Sequence, residues 1–114
     1  YLAFEHHRMR KATTRAYARV AREMGRELHR ASGFHPILVG EWSLGHAIAG
    51  FDKLDPRKRK RVLEKLAIVQ LKAWGKAQGE CFWNVAINRS DGQYQEWDFE
   101  KMAHALHAFK HAGL

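Results

Sequence analysis

A chain of 114 residues, 46% hydrophobic with four Trp, six Phe and three Tyr, has enough apolar side chain for one folded core and too little length for two. With 28% charged residues and no long apolar stretch, it is neither a disordered tail nor a membrane-spanning segment. Twenty Lys and Arg against twelve Asp and Glu leave a net charge of +8, which implies an anionic partner only where the cations gather on one surface.

In chain order, residues 8–31 have the periodicity of an amphipathic helix, ended by Ser32 and Gly33. Arg15, Arg19, Arg22 and Arg26 recur at steps of four, three and four, opposite Tyr17, Val20, Met24 and Leu28, and read as a solvated outer face. The run 37–41 follows. It is β-branched and Leu-rich, as expected of a parallel strand buried on both faces, and it ends on Glu41 and Trp42. After a loop over 43–54, Asp55 and Pro56 are a cap and a first-turn proline. They open a second helix that runs to about Gly75 on a stripe including Val62, Leu66, Val69 and Ala73. Its first turns carry Arg57, Lys58, Arg59, Lys60 and Arg61. No aromatics alternate with these cations for base stacking, so nucleic acid is not the favoured partner.

Residues 81–87 have strand composition, and the only cysteine, Cys81, reads as a small core hydrophobe within them. With no second thiol there is no internal disulfide, and the compartment stays open. Residues 88–97 contain the turn formers Asn88, Ser90, Asp91 and Gly92. Asp98 then caps a last helix with Phe99, Met102, Leu106 and Phe109 on one face. Strands alternating with helices imply an α/β fold with right-handed crossovers and a parallel sheet. Two strands leave both edges open and cannot cover three apolar helix stripes, so further strands are expected to precede Tyr1 or to come from another chain. The opening on Tyr1, without a basic-then-apolar leader, also reads as an excerpt. The expected architecture is the closing part of a (β/α)8 (TIM) barrel, a fold that needs about 250 residues when complete.

In such folds the reacting groups sit at the carboxyl ends of strands, which is where Glu41 falls. A carboxylate beside an exposed indole suits carbohydrate chemistry, because a carboxylate can attack a glycosidic carbon while a ring stacks against the sugar. His104, His107 and His111 have a spacing that a metal could use, but on a solvated face with no carboxylate partner they imply no metal site. His46, just past Glu41, is a candidate sugar contact, as are Asn88 and Tyr94 in the last loop. At most one of His6 and His7 points toward the cleft.

Taken together, His35 to Ser43, with Gly40, Glu41, Trp42 and Ser43 at its end, resembles the seventh-strand motif of glycoside hydrolase family 5, in its exo-β-1,3-glucanase-like branch. Phe82 and Trp83 resemble the Phe-Trp of its eighth strand. Glu96, Trp97, Asp98 and Phe99 resemble the stretch leading into the final helix, and Tyr1 and Phe4 match the tail of the sixth-strand motif. The branch usually has Trp and Lys where Val85 and Ala86 stand. The resemblance implies a retaining β-glycosidase or β-glucanase with Glu41 as nucleophile and Trp83 as the floor of the subsite for the cleaved sugar. Trp42, Tyr1, His46 and Asn88 would lie around the substrate. It implies no cofactor, a β-glucan or oligosaccharide substrate, the missing amino-terminal barrel segment as partner, and a secreted setting. The acid/base Glu of the family's Asn-Glu pair lies outside these 114 residues, so the isolated chain is expected to be nearly inert. The alternative from the charge balance is a small basic α/β nucleic-acid-binding module.

Overall fold

In the computed structural model the described residues, 13–86 and 95–111, form helix α1 (Thr14–Ala31), strand β1 (Leu38–Trp42), helix α2 (Pro56–Trp74) and strand β2 (Gly79–Phe82). Two short helices follow, α3 (Phe99–Ala105) and α4 (His107–His111), and single 3-10 turns lie at Phe51–Lys53 and Gln95–Trp97. The domain is α/β: β1 and β2 pair in parallel with α2 as the crossover. The described strands make a two-stranded sheet and no barrel wall. Tyr1, Phe4, His6, His7, Asn88, Tyr94 and the first turn expected for the opening helix lie outside the described residues.

The helices start where side chains satisfy their free N–H groups. Thr13 accepts from the Ala16 N–H, and Asp55 from the Lys58 N–H at 2.9 Å, just ahead of Pro56. The Lys58 N–H holds the exposed Asp55 carboxyl below its ordinary range. At the far end of α1, Ser32 donates its N–H to Leu28 and its hydroxyl to the His29 carbonyl. The two long helices meet at Gly25, where a Cβ would come within 2.8 Å of the Ala73 Cα. Only glycine permits that approach.

The expected single last helix is two. Leu106 leaves helical geometry at φ −108° and ψ 131° and drops its side chain, 1% exposed, into the core. Helix α4 restarts because Glu64 of α2 reaches it, accepting from the N–H groups of His107 at 3.1 Å and Ala108 at 2.6 Å. The break ends the three-and-four spacing of His104, His107 and His111 on one continuous helix. Among the described residues no three His, Cys, Asp or Glu gather as metal ligands. Around Phe109 the core is aromatic: Trp42 stacks on it with centroids 6.0 Å apart, while Phe82 and Phe99 meet it edge-on. No helix among the described residues is long and apolar enough to cross a membrane.

Candidate active site

The carboxyl end of β1 is irregular, and that irregularity decides where its side chains go. Leu38 is paired with Gly79, Val39 with Glu80 and Trp42 with Phe82, so Gly40 and Glu41 together stand opposite Cys81. Two residues against one is the count of a β-bulge, which re-aims the residues beside it. With strict alternation Glu41 would share the core face with Val39, and Trp42 would face out. The bulge reverses this. Trp42 is 4% exposed and packs edge-on to Phe82 at 4.9 Å, while Glu41 stands exposed. Trp42 is therefore a core residue and not the open stacking surface expected from sequence. Cys81, expected in the core, is exposed.

Strand β2 begins at Gly79, two residues before the expected run, and stops at Phe82. Gly79 lies tight against β1, where a Cβ would meet the Leu38 Cδ1 at 3.0 Å. Glu80 is half buried, and desolvation pushes its carboxyl above the ordinary range. Past Phe82 the chain bonds elsewhere. The Trp83 N–H donates to the Trp42 carbonyl at 2.8 Å, and the Asn84 N–H to the Trp97 carbonyl at 2.7 Å. Asn84 and Val85 then accept from the Phe99 and Glu100 N–H groups. The Trp83–Asn84 peptide is cis. The Trp83 ring, 55% exposed, thus stands at the same end of the sheet as Glu41 and is tied to it through the main chain of Trp42.

The loop after β1 is pinned to the segment before α3. The Leu44 N–H donates to the Glu96 carbonyl, and Gly45 lies against the Trp97 indole, where a Cβ would come within 2.2 Å of Cε2 and Cζ2. His46 is half buried inside this loop. Its Nδ1 accepts from the Ile48 N–H, which puts the neutral ring's proton on Nε2, and its ring meets Phe51 edge-on at 4.1 Å.

A cavity of about 740 Å³ opens between α1, β1 and α2, with Glu41, Trp42 and Trp97 around it at the carboxyl end of β1. Trp83 and His46 do not line it. Sequence reading missed two members of its wall. Tyr17 accepts from the Ala47 N–H at 2.6 Å, and burial raises its phenol above 10.0. Gln70, 6% exposed, donates to the Ser43 carbonyl at 3.0 Å. A glutamine on the apolar stripe of a helix was the available signal for Gln70. Gln70 Oε1, Trp42 Nε1 and Trp74 Nε1 are buried with no hydrogen-bond partner among the described residues, and all three side chains line this cavity.

Compared with known proteins, the chain matches no family model, no curated protein and no solved structure.

Proposed function

We propose that this chain is the closing part of a (β/α)8 barrel of the glycoside hydrolase family 5 kind. It would act as a retaining β-glycosidase on β-glucans or oligosaccharides, with Glu41 as nucleophile and Trp83 as sugar platform. The observation that carries the reading is the bulge. It frees a carboxylate at the carboxyl end of a parallel strand, at the same end of the sheet as the half-exposed Trp83, whose backbone N–H bonds to the Trp42 carbonyl. In retaining chemistry one carboxylate attacks the anomeric carbon, and a second, about 5 to 5.5 Å away, protonates the leaving oxygen. The second carboxylate belongs to the polypeptide that this reading requires upstream.

Three features favour additional strands. The free edge of β1 borders the cavity, Leu38 is 69% exposed on the sheet, and apolar side chains of α1 such as Ala21, Met24 and Leu28 line the far wall. A further parallel strand would cover this apolar surface and bring backbone groups near the unpartnered polar atoms of Trp42, Gln70 and Trp74.

The test is hydrolysis of an aryl β-glucoside by this chain alone and joined to the upstream segment. The joined form turns over, Glu41→Gln lowers its rate by at least about 10³-fold, and the isolated chain is nearly inert. Trp83→Ala raises KM and removes the quenching of Trp fluorescence by oligosaccharide. A joined form that is inactive, or equally active with Glu41→Gln, overturns the assignment.

A further inference from the structure

On the side of the helix pair away from the cavity, α1 and α2 enclose a second groove, of about 730 Å³. Its charge is one-sided. The close contact of Gly25 with Ala73 forms the floor, Arg22, Arg26 and Arg30 stand along one wall, and Lys72 rises from the other. All four cations are exposed. Of the nearby carboxylates, Glu27 pairs with Arg30 at 3.1 Å, Glu23 contacts no cation among the described residues, and Glu64 is taken up by the start of α4. Arg22, Arg26 and Lys72 have no carboxylate partner among the described residues.

We infer that this groove is a binding site for the phosphodiester backbone of nucleic acid, independent of the sheet end that carries Glu41. Arg22, Arg26 and Arg30 follow one another at four-residue steps, about 6 Å of helix rise each, so the cations form a row and do not converge on one point. A row suits a chain of repeating anions better than a single ion. Arginine also suits phosphate, since its planar fork donates two parallel hydrogen bonds to one anionic group. The groove lacks what a lipid surface would need. Its rim carries a single exposed large hydrophobe, Ile68 at 38%, whereas Phe34, Leu38, Trp83 and Val85 all lie outside it. No Phe, Tyr or Trp lines it and the imidazole of His29 is the one ring on its wall, so it offers no run of stacking platforms and phosphate contact is indifferent to sequence.

The experiment is fluorescence anisotropy of a labelled 20-base-pair duplex titrated with the chain between 50 and 200 mM salt. Release of counterions from three phosphates gives a slope of log K against log salt of about −2.7, or roughly a 40-fold loss of affinity over that range. Arg22→Gln/Arg26→Gln/Lys72→Gln removes most of that slope. The control Lys53→Gln/Arg57→Gln/Lys60→Gln changes net charge equally at exposed positions around the start of α2 and retains more than half of it. All six side chains are exposed, so neither variant is expected to lose its fold, and matched thermal melts check this. Equal losses in the two variants place the attraction in overall charge and overturn the site. So does a duplex that fails to bind at 50 mM salt, or a chain that binds phosphatidylserine vesicles in preference to the duplex.

Discussion

Gly45→Ala tests the joint that holds the candidate site together. A Cβ built on Gly45 falls 2.2 Å from two ring carbons of Trp97, where an ordinary contact is 3.4 Å or more, so one partner must retreat by more than an ångström. Neither can do so freely. Trp97 is a rigid ring whose carbonyl holds the Asn84 N–H, and the adjoining Glu96 carbonyl holds the Leu44 N–H. Overpacking of this kind costs about 1 to 3 kcal/mol, and loss of the Leu44 bond adds about 1 kcal/mol. The expected destabilisation is therefore about 2 to 4 kcal/mol in urea unfolding followed by circular dichroism. A double-mutant cycle isolates the cause. In a Trp97→Ala background Gly45→Ala should cost less than about 0.5 kcal/mol, because the obstructing ring has gone. If Gly45→Ala costs the same with and without Trp97, the ring contact is not what demands glycine, and the account of the joint fails.

Glu64→Ala leaves the Ala108 N–H, in a residue only 7% exposed, without its partner, and returns the N–H of the exposed His107 to water. Unfolding should show a loss of about 2 to 3 kcal/mol, with Glu64→Gln in between; a loss below about 0.5 kcal/mol refutes the cap. Glu80 gives a prediction with a definite sign in pH. Its folded carboxyl titrates above 4.5, so the native state holds the proton longer than the unfolded chain does, and stability falls as pH rises from 4.5 through the raised value. Glu80→Gln should therefore unfold at higher urea than the parent at pH 7 and lose that advantage below pH 4.5; a variant less stable at pH 7 contradicts the burial argument.

Helix positions were largely legible in the sequence because their signals are local. Asp55 followed by Pro56 marks the start of α2, and Ser32 with Gly33 marks the end of α1. The strands were legible in kind and order, while their details depended on partners that a single sequence does not display. Nothing in residues 37–42 announces a bulge, because the extra residue is defined only against Cys81 on the other strand, so the place of Trp42 just past the carboxyl end of the expected strand put it outside. The early start of β2 has the same origin. Gly79 and Glu80 lack strand character and are strand because Leu38 and Val39 pair with them. Likewise Phe99, Met102, Leu106 and Phe109 do share one apolar environment, but the chain reaches it by breaking at Leu106, and the group that stabilises the break lies 43 residues away at Glu64. For the candidate site, Glu41 and Trp83 were singled out from type and position and lie at one end of the sheet, whereas Gln70, Tyr17 and the Gly45–Trp97 joint became visible only once α1, α2 and the two loops were packed together.

Because residue 81 is the sole thiol in the sequence and is exposed across from Gly40 and Glu41, the molecule already carries a unique attachment point beside the irregular stretch of β1. A maleimide dye or nitroxide coupled there would sense any polypeptide or saccharide arriving at that end of the sheet, with no engineered cysteine and no competing label elsewhere.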